Sequence, residues 1–177
     1  MLSPMHTRRL LLRPFERNDA PAAFGWSGDP AVMRFNATPA DTSIAETQKR
    51  IARYMAHQAE HGFSKWILVE QATGRAIGNA GLIHLRDYGW IDLGFRLAQP
   101  HWGQGLATEA AQAWVRAAFE ELGMKRLGAF VHPENTASIH VLEKLGFARG
   151  HSATILGMSS IQFSLEAPSP KTQRAPR

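Results

Sequence analysis

The sequence predicts a single α/β (mixed α+β) domain in which a mixed central sheet carries helices on both faces. Three observations lead there. Apolar residues switch repeatedly between a two-residue and a 3.6-residue period, so strands and helices interleave along the chain. A hairpin pattern, WILVEQATGRAIGNAGLIHL, occupies the middle. Finally, a glycine-rich stretch, HWGQGLATEA, leads from an extended apolar run straight into strong helix formers. With 177 residues, 44% of them hydrophobic, the chain can bury one sizeable core. No repeat or linker interrupts residues 1–165, and residues 166–177, rich in Pro and basic residues, read as a flexible tail.

The elements follow in order. RRLLLRPF (Arg8–Phe15) is a first strand ended by a proline. RNDAPAAFGW opens a helix, with Asp19 as N-cap and Pro21 in the first turn, and GDPAVMRFN is a second short helical piece ending near Asn36. Ile44, Ile51, Tyr54 and Met55 mark one face of a longer amphipathic helix that Gly62 stops. Two strands follow, joined by a turn holding Gly74, and Gly89–Leu97 is a fourth strand. A helix runs from about Gln104 to Leu122 and closes on Gly123. KRLGAFVH is a strand, NTASIHVLEKL a helix stopped by Gly146, and SSIQFSL a last strand, with an extra strand near Phe147–Arg149. The predicted order is β-α-α-β-β-β-α-β-α-β.

Composition narrows the function classes. There are no cysteines, which excludes disulfides, thiolate metal sites and a cysteine nucleophile. No apolar run approaches a membrane span of about 20 residues, and the first residues lack the pattern of a signal peptide, so the cytoplasm is the expected location. The net charge of +5 fits an anionic ligand or a nucleic acid. No stretch interleaves aromatic and basic residues as a single-strand binder would, and neither nucleic acid nor membrane is an expected partner.

The glycine segment admits two readings, a tight turn or a close approach to the backbone. It is not a P-loop, because Gly103 and Gly105 are followed by Leu106. Nor is it a dinucleotide fingerprint, because position 108 is Thr108. A helix N-terminus nevertheless presents unpaired N–H groups and the positive end of the dipole, and glycines let a phosphate reach them.

HWGQGLATEA together with HPENTASIHVLEKLGF closely resembles the two signature motifs of the general N-acetyltransferase (GNAT) family, in particular its ribosomal-protein N-terminal acetyltransferase type. The matching positions are Trp102 to Ala110, then Asn135, Ser138 and Glu143 to Phe147; RRLLLRPFERNDA and WILVEQATGRAIGNAGL extend the likeness over about residues 7–165. The resemblance implies acetyl-CoA as co-substrate and no metal. It places the coenzyme pyrophosphate on the amides of Trp102, Gly103, Gln104, Gly105, Leu106, Ala107 and Thr108. It also implies that the fourth strand bulges away from the fifth over Arg96, Leu97, Ala98 and Gln99, freeing groups for the pantetheine arm and an oxyanion donor, and it counts Asn135 and Ser138 among the coenzyme-binding residues. Members of this branch are often dimers, which makes a homodimer an implied arrangement.

Acetyl transfer to an amine needs a neutral amine and a stabilised or protonated leaving thiolate. Much of the family supplies the acid from a tyrosine on the last helix. That position here is Leu142, and the resembling branch puts the task on the serine, Ser138. Asn135 and Ser138 read equally as an N-cap and a first-turn polar residue. Asp92 lies where related sequences carry a glutamate. It reads either as a base of raised pKa or as a carboxylate in a structural ion pair. His84, His101 and His132 lie near the expected site without metal-ligand spacing. Trp26, Phe35, Trp66, Trp90 and Trp102 read first as core, with Phe35 and Trp90 the candidates to flank an acceptor channel. The expected activity is N-acetylation of a primary amine, a protein N-terminus or a small molecule; the alternative is a non-catalytic acyl-CoA-binding regulatory module.

Overall fold

Residues 2–169, described by a computed structural model, build one sheet with helices on both sides. The elements are β1 (Met5–His6), β2 (Leu10–Pro14), α1 (Ala20–Ser27), α2 (Pro30–Met33), α3 (Ile44–His61), β3 (Lys65–Glu70) and β4 (Arg75–Leu85). They continue with β5 (Trp90–Leu97), α4 (Leu106–Arg116), β6 (Arg126–Val131), α5 (Thr136–Lys144), β7 (Ala148–Ile155) and β8 (Met158–Glu166). Residues 170–177 of the expected tail lie outside the described residues.

The sheet order is β1-β2-β3-β4-β5-β6-β8-β7. Every pair is antiparallel except β5 with β6. Strand β3 shows why both faces need helices. Its alternate residues Trp66 and Leu68 join Leu10, Leu12, Leu93, Leu97 and the α4 residues Leu106, Ala110 and Trp114 in one core. Ile67 joins Phe15, Ala23, Trp26 and Ile51 in a second core under α1 and α3. Trp66 meets Trp114 edge-on, with ring centroids 5.0 Å apart.

Several local expectations shift for identifiable reasons. Asp19 precedes α1 but caps no N–H of that helix, because its carboxylate binds the Arg13 guanidinium at 2.7 Å and closes a capping box on the Glu16 N–H at 2.7 Å, at the start of the preceding 3-10 turn. Helix α4 starts at Leu106, after Gly105 in a left-handed turn (φ +76°), and passes into a π-turn over Ala117–Glu121. Ile44 is 41% exposed, since the inward stripe of α3 is Thr47, Arg50 and Ile51. β1 was not anticipated, and the strand expected near Phe147–Arg149 runs on to Ile155. Among the described residues no helix is long and apolar enough to cross a membrane.

The segment between α2 and α3 is anchored by a buried ion pair. Arg50 donates to Asp41 at 2.6 Å and also to the Thr38 hydroxyl and the Pro39 carbonyl, while Thr47 donates to Asp41 at 2.8 Å. Burial by itself would raise the Asp41 carboxyl, but the hydrogen bonds from Arg50 and Thr47 outweigh it and hold it below the ordinary carboxylate value. Removing one partner strands the other charge. Asp41→Ala is therefore expected to cost about 3–5 kcal/mol in denaturant unfolding. Because the folded pKa is depressed, this contribution is complete above the ordinary carboxylate range and disappears as the pH falls through the lowered value. An unfolding midpoint unchanged between wild type and variant at neutral pH would refute this.

Candidate functional site

Strands β5 and β6 meet at a single register position, Asp92 opposite Gly128, and then part. Strand β5 keeps unbroken antiparallel register with β4, from Leu85↔Trp90 to Gly78↔Leu97. The opening therefore comes from β6 leaving, and no bulge interrupts β5. Two side chains make the divergence. The Trp90 indole lies where a Cβ on Gly128 would sit. The Asp92 carboxylate accepts the Phe130 N–H at 3.1 Å, a β6 donor beyond the last bridge.

The parted strands leave an open edge on β5. Ala98 donates its N–H to Ile77 of β4 at 2.9 Å. Backbone groups alternate in direction along an antiparallel strand, so those of Leu97 and Phe95 point toward β6, where no strand pairs with them. The Leu97 carbonyl on this edge accepts the Trp102 indole N–H at 2.7 Å, while the Phe95 and Leu97 N–H groups remain as donors.

The open edge forms the wall of a cleft of about 920 Å³. At one end lies the glycine turn. Gly103 (φ +71°) and Gly105 (φ +76°) adopt left-handed conformations that favour glycine. Gly105 is the N-cap of α4 and supplies no side-chain acceptor, so the first-turn N–H groups stay unpaired at the positive end of the helix dipole. This suits an anion such as a diphosphate. The turn is braced from the N-terminal strand: Arg9 donates to the Gln104 carbonyl at 2.9 Å and to Glu109 at 2.7 Å. Glu109 also accepts the Arg9 N–H and the Thr7 hydroxyl, each at 2.7 Å. Burial would raise the Glu109 carboxyl; these bonds lower it overall. Sequence reasoning passed over Arg9 and Thr7, which lie about a hundred positions from Glu109 and carry no local signal.

Asp92, Arg96, Leu97, Trp102, Gly103, Gly105, Leu106, Ala107, Thr108, Asn135 and Ser138 all line this one cleft. Ala98, Gln99 and Gln104 do not: Ala98 packs on the second core, Gln99 donates to Asp29 at 2.6 Å, and Gln104 donates to Pro100. Asn135 caps α5 by accepting the Ser138 N–H at 3.2 Å, which sets the Ser138 side chain at the cleft wall. Leu142, at the tyrosine position of the wider family, is fully buried.

Of the aromatics, Phe35 lines the cleft and stacks on His132 with centroids 5.0 Å apart. Trp90 instead packs between Phe130 and the Arg126 guanidinium. Trp26 and Trp66 are core residues, whereas Trp102 is 48% exposed. His101 and His132 line the cleft, and His84 meets His61 edge-on outside it. Among the described residues no cluster of three His, Cys, Asp or Glu forms a candidate metal site.

Asp92 stands at the apex of the opening. Burial pushes its carboxyl above the ordinary carboxylate range, while the Lys65 ammonium and the Phe130 N–H pull it partly back. Anion-binding turn, open strand edge, hydroxyl and half-buried carboxylate thus share one continuous space, the set a group transfer from a phosphate-bearing donor requires.

The acetyltransferase (GNAT) domain model matches residues 9–148. The chain is 31% identical over 150 residues to p20, an uncharacterized N-acetyltransferase of Bacillus licheniformis, covering 84% of each chain. An acetyltransferase from Agrobacterium tumefaciens superposes with a TM-score of 0.82 at 27% identity, over 94% of this chain and 95% of that one. RimL, a ribosomal-protein alpha-N-acetyltransferase solved in complex with coenzyme A, shares the fold with a TM-score of 0.78 at 16% identity, over 91% and 96%.

Placing a side chain at Gly105 tests the turn. The left-handed conformation costs an L-residue about 1–2 kcal/mol; an alanine turn that relaxes out of it when empty must regain it to seat the anion, so Gly105→Ala is expected to weaken coenzyme A binding by about 5- to 30-fold in calorimetry. Unaltered affinity would remove the anion from this helix end.

Proposed function

The chain belongs to the GNAT acetyltransferase family and catalyses acyl transfer from acetyl-CoA; on that premise we propose that its acceptor is a primary amine, a peptide N-terminus or a small molecule, acetylated by direct attack. The observation that carries this reading is the opening at Asp92, where one cleft joins the glycine turn, the unpaired β5 edge, Ser138 and a half-buried carboxylate.

The residues present fit the co-substrate. The amides of Gly103, Gly105, Leu106, Ala107 and Thr108 would hold its pyrophosphate at the N-terminus of α4, and the Phe95 and Leu97 N–H groups would meet the pantetheine arm and the thioester carbonyl. Acetyl-CoA supplies an activated acetyl group whose C–S bond breaks as the new C–N bond forms.

Asp92 takes one proton from the acceptor ammonium, leaving the neutral amine that attacks. The open-edge N–H donors stabilise the negative charge that grows on the carbonyl oxygen. Ser138 passes its hydroxyl proton to the departing sulfur and is reprotonated by the second proton of the acylated nitrogen. The balance closes as amide plus free thiol, with Asp92 returning its proton to solvent. No covalent enzyme intermediate is needed, in keeping with a chain that has no cysteine.

Thiol release from acetyl-CoA, measured over N-terminal peptides, polyamines, aminoglycosides and amino-acid analogues, identifies the acceptor class. On the accepted amine, Ser138→Ala is expected to lower kcat by about a hundredfold or more while calorimetric coenzyme affinity stays put. Equal loss of coenzyme binding and rate would make Ser138 a binding residue and assign the thiolate another partner.

A further inference from the structure

A lysine crosses the acceptor side of the sheet in a slot made of two glycines. Lys65 of β3 pairs in register with Gly81 of β4, which pairs in register with Gly94 of β5, so the three form one cross-strand row. The glycines keep that row clear. A Cβ on Gly81 would press on the Ser64 and Lys65 backbone, and one on Gly94 would lie 2.6 Å from Lys65 Nζ. The same Cβ on Gly94 would lie 3.7 Å from Asp92 Oδ2, which puts both charges beside one glycine.

Lys65 is 93% removed from solvent, at 7% exposure, yet among the described residues its ammonium has a single hydrogen bond, to the Gly81 carbonyl at 2.7 Å. A buried ammonium with one acceptor is costly unless a counter-charge faces it. Asp92 is the carboxylate that does so. Of the other ionisable groups, Arg96 on β5 acts on both members of the pair, and Arg50, Arg53, Tyr54 and His57 on α3, His101 before the glycine turn and His132 after β6 line the same cleft.

We propose that Lys65 is a positioning residue for the transfer: the glycine row carries its ammonium across two strands to Asp92, where it keeps the carboxylate ionised and aimed into the cleft. This rests on Asp92 being the base. Burial lowers the Lys65 ammonium and the Asp92 charge opposes that drop; each group sustains the other's charge. The direction of the effect follows. A carboxylate base fails when protonated, and losing a nearby cation raises its pKa, so the acid limb of the rate profile moves to higher pH.

The test is kcat against pH with one saturating amine acceptor, alongside calorimetric coenzyme affinity. Lys65→Met is expected to move the acid limb up by roughly one pH unit or more, with activity recovering at high pH and coenzyme affinity unchanged. Lys65→Arg, which retains the charge, is expected to keep the limb near wild type. Gly94→Ala leaves the lysine in place but obstructs the slot, and is expected to shift the limb in the same direction; it decides the matter should Lys65→Met fail to fold. A limb that stays fixed in Gly94→Ala, or in a folded Lys65→Met that is slower at every pH, overturns the proposal. Asp92→Asn separates the premise: if that variant retains the wild-type acid limb, Asp92 is not the base, whatever Lys65 does.

Discussion

The arrangement depends on one backbone contact, the bridge between Asp92 and Gly128 where β5 and β6 cease to pair. A sheet that stayed zipped beyond it would have no cleft and no free strand edge. The departure is supported from both sides. Gly128 yields its side-chain volume to the Trp90 indole, and Asp92 satisfies the Phe130 N–H that a continued ladder would have taken. Beyond the bridge, β6 remains fully paired with β8, from Arg126↔Glu166 to Val131↔Ile161. It is therefore held rigidly on its far side while its near side opens. The cleft is a defect in one ladder, stabilised by complete pairing of the next.

An open edge and an uncapped helix end both leave polar backbone groups without partners, which a protein ordinarily avoids. Here the two occur together, in one space. The brace on the glycine turn shows how the molecule keeps that end available. Glu109 lies in the first turn of α4, where a carboxylate would normally settle onto the free N–H groups. Instead its two oxygens are taken by the Arg9 N–H, the Arg9 guanidinium and the Thr7 hydroxyl. The internal anion that could have filled the site is tied to β2 and the turn before it, and an external one is left to occupy the helix end.

Much of this was legible in the sequence, and what was not has a common cause. Periodicity placed the central hairpin, α4 and α5 because each is a local pattern of apolar spacing. The glycine turn and Asn135-x-x-Ser138 were legible because helix starts are written in a few adjacent residues. Residues whose role depends on strand register were not. Lys65 looks like the first polar residue of a strand until Gly81 and Gly94 are known to be in line with it. Asp19 has the composition of a cap, yet Arg13 on β2 claims it first. Gln99 at the end of the fourth strand and Gln104 in the glycine segment turn outward to partners of their own, Asp29 and Pro100. Spacing along the chain reports which residues are near one another, and it is silent about which way each one faces.

Strand β5 concentrates this lesson, since its two faces serve different ends. Its odd-numbered residues, Ile91, Leu93, Phe95 and Leu97, belong to the core under α4. Its even-numbered residues, Trp90, Asp92, Gly94 and Arg96, turn to the other side, where Asp92 meets the open strand and Arg96 binds Asn36 at 2.6 Å. The pleat makes the separation strict, because a shift of one residue would exchange the two sets. Burying Asp92 and Arg96 in the α4 core would cost far more than any gain in pairing. The same alternation that seals the core therefore holds Asp92 at the mouth of the cleft, and the stability of the hydrophobic face fixes the geometry of the chemical one.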